Sequence, residues 1–374
     1  MKHYVRYVLL AAGLLFSACG TSAPAASPAV QTMQNVTVDS GFDTVITLIE
    51  QTDDPDGFQN HFNTMCEQFR YYNDLFDIYE DHALSGLKAI NDSAGIRPVK
   101  TDPALIELIQ KGKYFCERSN GAFDITSGAL LDVWHRYRTE GMALNEEGKY
   151  GSLPSEEELT EAASHHGFEY VEIDEEAATV YLTDPKMRLD VGGIAKGYAT
   201  ELTARMLEEA GIDHAAINAG GNNRTIGSKT DGTPWNVGIQ NPDGQGPLFV
   251  VRVEGTGSFV TSGDYERYYV AEDGRRYPHI IDPATRYPAD RYRSVTIITE
   301  DSGDADCLST ALTVLSLDEG KALLEAYRSD TGNHAEAIWI TSGESGITDP
   351  HSHTVGTYTV FYTEGLEDKL VFQQ

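Results

Sequence analysis

From His214 to Thr299 the sequence reads as strand after strand, with Asp273-Gly274 set for a tight hairpin turn. Helical periodicity lies on either side of this block. Upstream, Phe62, Met65, Phe69, Tyr72 and Phe76 recur at threes and fours, which predicts a helix from about Phe58 to Ile78. Asp102-Pro103 opens a second helix that closes near Asn120-Gly121. A short acidic helix is expected over 155–166, and "YVEIDEEAATVYLT" reads as a hairpin with an acidic turn. Ile194, Tyr198, Leu202, Met206 and Ala210 fall on one stripe of a further helix, which Gly211 stops. A helix from about Asp304 to Leu315, another from Asp318 and closing strands complete the chain. "NVTVDSGFDTVITLIE" alternates as a strand pair turning near Gly41. Helices and mainly antiparallel strands therefore mix without a βαβ rhythm, the mark of an α+β fold. The chain of 374 residues has room for one large domain or two ordinary ones. No linker, repeat or charge break interrupts 31–374, so one domain is expected, over 35–374.

The N-terminus is different. Lys2 and Arg6 precede an apolar run from Tyr7 to Ala18. That run is shorter than the roughly 18 residues a spanning helix needs. It has the form of a signal peptide over 1–18. Small residues before Cys19 resemble the lipobox of bacterial lipoproteins, with Phe16 where Leu is usual. The Ser/Ala/Pro segment after it suits a tether over 19–34. The expectation is a lipoprotein acylated at Cys19, palmitate-type chains included, on the outer face of the cytoplasmic membrane and held there by lipid only. A plain secretory signal with a chance cysteine is the other reading.

Lys+Arg 28 against Asp+Glu 58 gives a net charge of -30. Such a field repels nucleic acid and anionic lipid, so a nucleic-acid partner is excluded. A phosphate ligand would need a cation or local backbone N–H groups to be held here. Beyond Cys19 stand Cys66, Cys116 and Cys307, without C-x-x-C or a Cys/His spacing for zinc. Either Cys66 and Cys116 pair or all stay as unpaired thiols.

Several stretches carry chemistry-bearing side chains. "DVGGIAKGYATE", 190–201, sets Asp190, adjacent glycines and Lys196 at a helix start. It lacks the spacing of a P-loop or a dinucleotide fingerprint. Its glycines either let backbone approach a ligand or make a tight structural turn. In "ADCLSTALTVL", 305–315, Asp306 and Thr310 are four apart and share a helix face, while Leu308, Leu312 and Leu315 take another. A carboxylate and a hydroxyl are hard oxygen donors suited to Mg²⁺. A capping Asp with a solvated Thr would read the same. The patch 261–288 holds Asp264, Glu266 and Arg267, then His279 and Asp282 before a rigid turn at Pro283. His279 is a candidate general base or a satisfied polar residue. "NGAFDITSGALLDVW" and "NAGGNN" complete the set.

Together and in order, these stretches resemble the ApbE-type FAD:protein FMN transferase family. The pattern is "FDT", "LFDIYE", "GAFDITSGAL", "DVGGIAKGYA", "NAGGN", "TSGDYER…HIIDP.T..P" and "AD.LSTAL", from Phe42 to Leu312. The resemblance implies a T-fold-like domain that binds FAD and Mg²⁺ and cleaves the FAD pyrophosphate. It then attaches FMN through its phosphate to a Thr or Ser hydroxyl of a target protein and releases AMP. It assigns Mg²⁺ to Asp306, Thr310 and the Gly193 carbonyl, with Ser309 as an additional ligand. Phe42, Tyr79, Ala122, Phe123, Asp124, Asp190, Lys196 and Ile280 match positions that line FAD, and His279 matches the histidine near the reacting phosphate. The acceptor would be an exported or membrane-bound protein with a D-x-x-S-G-A-T-like segment. The chain's own "DITSGAL" has Leu130 where the hydroxyl should be, which makes it a poor acceptor for itself. Arg286 stands where the pattern has Gly, Cys307 where Ala is usual, and Lys196 where some members are acidic. A Mg²⁺-dependent FAD pyrophosphatase and a non-catalytic flavin-binding lipoprotein are the alternatives.

Overall fold

The computed structural model describes residues 29–343 and 346–372. The expected signal peptide and Cys19 lie outside the described residues. The centre of the fold is a nine-stranded sheet of β1 (Gln31–Thr37), β2 (Ile46–Thr52), β3 (Ala215–Ala219), β4 (Asn222–Ile226), β5 (Gly257–Gly263), β6 (Ser294–Thr299), β7 (Ala335–Ser342), β8 (Ser352–Val355) and β9 (Tyr358–Tyr362). Its order is β1-β2-β3-β4-β5-β6-β7-β9-β8, antiparallel at every pairing. β1 begins inside the segment expected as tether, because Gln31 already pairs with Thr52. The ordered chain thus reaches back beyond residue 35.

Alternation along the strands sends neighbouring side chains to opposite faces. Val260, Val295, Ile297, Trp339 and Phe361 join the main core. Phe259, Ile298, Ile338, Ile340 and Val360 join a second core with Phe249 and Val251 of a three-stranded sheet. The main core is closed by α1 (Pro55–Phe76), α2 (Leu87–Asp92) and α3 (Pro103–Arg118), then by residues of helices further along. Asp54 and Asp102 cap α1 and α3, each with Pro at the first helical turn. The sequence expected both helices nearly as they stand.

Next come α4 (Gly128–Glu146), α5 (Glu156–Ala162), α6 (Ala195–Glu209), α7 (Ser302–Val314) and α8 (Leu317–Thr331). α4 was not expected as a helix. Its buried residues are Gly128, Leu130, Val133, Trp134 and Gly141, and the glycines hide half of that stripe from a periodicity count. It packs with Tyr269, Tyr277 and Ile281 into a third core beside the main one. α6 starts where expected, but its inner face differs. Leu202 and Met206 are half-buried and Ala210 is exposed, while Gly197, Thr200, Glu201, Ala204 and Leu207 are buried. Small residues carry this face because α7 crosses close by. A Cβ on Gly197 would lie 2.2 Å from the Ser302 carbonyl oxygen and 2.6 Å from Asp306 Cβ. Cys66, Cys116 and Cys307 are all unpaired, so no Cys66–Cys116 bridge forms. No helix among the described residues is long and apolar enough to cross a membrane.

Candidate active site

A cavity of about 620 Å³ opens where the start of α6, the middle of α7, the α1–α2 connection and α4 meet. Phe42, Tyr79, Ala122, Phe123, Asp124, Asp190, Gly193, Lys196, His279, Ile280, Asp306 and Thr310 all stand on its wall. Residues from six separate stretches of sequence are thereby gathered around one space.

The α6 start is fixed from within. Asp190 Oδ1 accepts from the Gly192 N–H at 2.8 Å, and the Asp190 N–H donates to the Ile125 carbonyl at 2.9 Å. Gly193 can press its backbone against the far wall because it lacks a Cβ, which would sit 3.1 Å from the Phe123 ring and 3.2 Å from Thr310 Oγ1. The Gly197 N–H donates to Asp306 Oδ2 at 2.9 Å, which aims the carboxylate from α7 at the cavity. The cap of α7 is Asp301, so Asp306 is not a capping residue. Burial pushes the Asp306 carboxyl above its usual range, and Lys196 opposes that. Burial raises Asp190 and Glu266 too.

Asp306, the Thr310 hydroxyl and the Gly193 backbone form an oxygen-only donor set. Among the described residues no cluster of three or more His, Cys, Asp and Glu is arranged for a metal. A cation here would rest on one carboxylate and neutral oxygens, which fits Mg²⁺ shared with phosphate oxygens and water. Ser309 does not line the cavity. It is fully buried, hydrogen-bonded to Ser262 Oγ at 2.8 Å and donating to the Asp306 carbonyl at 3.0 Å. Ser262 is the member of that pair on the wall.

His279 sits beside the hairpin of Ile281–Asp282 with Tyr287–Pro288. Its Nδ1 is sealed from solvent and has no hydrogen-bond partner. Burial, then the charges of Arg138, Lys196 and Arg267, push its pKa down to about 3. Asp282 does not face it, since its carboxylate accepts from the Ala284 N–H at 2.9 Å within the turn. Arg286 keeps the left-handed backbone that Gly would favour, φ 67°. The Trp134 indole donates to its carbonyl at 2.8 Å, and its side chain reaches Thr160 and Glu156. Asp264 also turns away, paired with Arg293 at 2.8 Å.

The remaining wall is aromatic and strained. Phe42 and Asp43 both have positive φ, 57° and 47°, and the Phe42 N–H donates to Asn73 Oδ1 at 2.7 Å. Such strain concentrates at functional sites. Asp124 accepts from Thr126 N–H, Thr126 Oγ1 and Ser127 Oγ, and so shapes the turn into α4. Tyr79 stacks on His135 with centroids 4.9 Å apart. His135 and Arg138 went unremarked in the sequence. With Leu131 they recur at fours and threes along α4, a spacing that was there to be read once the helix was known.

Comparisons with known proteins agree on one family. The ApbE family's sequence profile matches residues 41–335. An FAD:protein FMN transferase of Treponema pallidum is 36% identical over 259 residues, 65% of this chain and 68% of that protein. One from Klebsiella pneumoniae is 34% identical over 280 residues, 74% of this chain and 80% of its own length. The crystal structure of the ApbE protein from Thermotoga maritima superposes with a TM-score of 0.69 at 31% identity, covering 83% of this chain and 94% of that one. With a profile that spans the strained Phe42 turn, the α6 start and the whole of α7, the chain belongs to the ApbE family.

Proposed function

We infer that this protein is an FAD:protein FMN transferase. The observation that carries this is the convergence of the sequence-predicted FAD, metal and histidine positions on one cavity. Relatives bearing that activity match 65% and 74% of this chain.

In this reading FAD lies along the Phe42, Tyr79 and Phe123 side of the cavity, with its diphosphate toward Lys196 and His279. Mg²⁺ held by Asp306, Thr310 and the Gly193 carbonyl would neutralise charge on the diphosphate as it breaks. His279 accepts the proton from the acceptor hydroxyl as that oxygen bonds to the FMN phosphorus. The phosphorus–oxygen bond to AMP breaks, and AMP leaves. Burial first, and the surrounding cations second, make the imidazole a weak base; an anion seated among the cations offsets their charge and returns that second part of its basicity. Ser309 acts through Ser262 and the helix backbone rather than as a direct ligand. The antiparallel sheet with helices layered on it supports the T-fold-like reading.

The protein is proposed to be secreted with residues 1–18 removed and to be lipid-anchored at Cys19 outside the cytoplasmic membrane. Its acceptor would be an exported protein with a D-x-x-S-G-A-T-like segment. Incubation with FAD, Mg²⁺ and such a peptide tests the activity. Flavinylated peptide with stoichiometric AMP is the expected result. AMP with unmodified peptide would make the protein a pyrophosphatase, and no AMP would make it a flavin binder. A Cys19→Ser protein should leave the membrane fraction, and its retention there with the signal removed would overturn the anchor.

A further inference from the structure

Arg138 on α4, Lys196 at the start of α6 and Arg267 all line the cavity and all act on one imidazole, that of His279. In a chain with Asp+Glu 58 against Lys+Arg 28, carboxylates outnumber cations about two to one, and several cations pair with one. Lys111, Arg205, Arg224 and Arg293 each do. These three do not: among the described residues none makes an ion pair within 4.0 Å. Glu266 shares their wall and feels Lys196 and Arg267, yet reaches ion-pair distance of neither. Arg138 Nη2 meets His135 Nδ1 at 3.1 Å, which leaves the rest of its donor fork unengaged.

Like charges held together without counter-charge in a partly buried space are unfavourable, so an anionic ligand is the natural partner of such a group. Planar guanidinium forks match phosphate oxygens in pairs, as a lysine does not. We propose that Arg138 and Arg267 join Lys196 as a clamp for the diphosphate of the nucleotide substrate. This rests on the reading of the cavity as the FAD site. It assigns roles to two arginines that the sequence motifs left without one. It also explains how so acidic a chain holds a diphosphate: the metal site and the clamp both grip it.

The test is binding, apart from turnover. FAD, ADP and riboflavin are titrated into the parent protein and into Arg267→Gln, Arg138→Gln and Arg138→Lys, with Mg²⁺ chelated. Arg267 is exposed, so its variant keeps the experiment sound even if Arg138→Gln folds poorly. Each Gln variant should lose about 10- to 100-fold in affinity for FAD and ADP, the range for hydrogen bonds to charged groups. Riboflavin affinity should stay unchanged, Arg138→Lys should recover part of the loss, and the salt dependence of ADP binding should flatten. Parent-like ADP and FAD affinity in both Gln variants would overturn the clamp alone. Equal losses for riboflavin and ADP would overturn it too, as a general collapse of the cavity. A parent that binds neither FAD nor ADP would remove the FAD reading, and the clamp with it.

Discussion

His279 illustrates how far a single residue's chemistry depends on neighbours that sequence does not reveal. The sequence marked it as a candidate general base or a satisfied polar residue. Burial and the charges of Arg138, Lys196 and Arg267 instead hold its pKa at about 3, below the ordinary 6.5. An imidazole depressed in the folded state takes up its proton more readily when unfolded, so acid destabilises the fold through it. The loss sets in as pH falls below 6.5 and grows down to about 3. A His279→Gln protein should therefore lose less thermal stability than the parent between neutral pH and pH ~4, measured by melting temperature. In activity, kcat/KM should show no inflection from His279 through neutrality, while kcat, which reports the filled site, should titrate at higher pH. Coincident profiles would contradict the argument that substrate charge restores its basicity. Asp306 and Thr310 both line the cavity, as expected of a helix that places residues four apart on one face. Asp306→Asn should keep the fold and lose AMP release by orders of magnitude, because a metal ion supplies several kcal/mol at such a centre. Near-normal release would remove the metal assignment.

At the scale of elements, the sequence was legible where caps and large apolar residues mark a helix and illegible where small residues do. The spacing of Phe62, Met65, Phe69, Tyr72 and Phe76 announced α1, and Asp102-Pro103 announced α3. α6 was found by its start, and Ile194 and Tyr198 lie in the core as expected, but the buried small residues Gly197 and Ala204 were missed, because Leu202 and Met206 outweigh them in any count of hydrophobicity. The contact that matters is a close crossing, which only the partner helix defines. Gly197→Ala should therefore do more than its size suggests. Its Cβ would meet the Ser302 carbonyl at 2.2 Å, and the helices must part. A cost of ~1–3 kcal/mol is expected from overpacking, visible as a lower melting temperature. The Gly197–Asp306 hydrogen bond would lengthen as well, so kcat should fall further than stability explains. An Ala variant with parental kcat would mean that Asp306 needs no such support. Arg286 shows the opposite case: a departure from the sequence pattern that leaves the turn unchanged, since other contacts hold an arginine in the glycine conformation.

On the scale of the whole molecule, composition argues against a nucleic-acid partner and indicates how a phosphate must be held, but it is silent on where. The net charge of -30 repels anionic FAD at long range, whereas the cavity cations act only nearby. Association with FAD should accordingly slow as salt is lowered from physiological strength, where the screening length is about 8 Å. Stopped-flow fluorescence checks this, and faster association at low salt would mean that the clamp steers from a distance. The α+β class was legible because helices and antiparallel strands mix along the chain without a βαβ rhythm. The nine-stranded order was not, since β2 pairs with β3 across the whole helical half of the sequence. The unpaired cysteines have a practical consequence. Cys66 and Cys307 are shut away from solvent, and burial pushes the half-buried Cys116 thiol up to about 12, so reactive thiolate is scarce. The described part of this protein therefore needs no disulfide to hold its fold, and purified without reductant it should not cross-link through these cysteines.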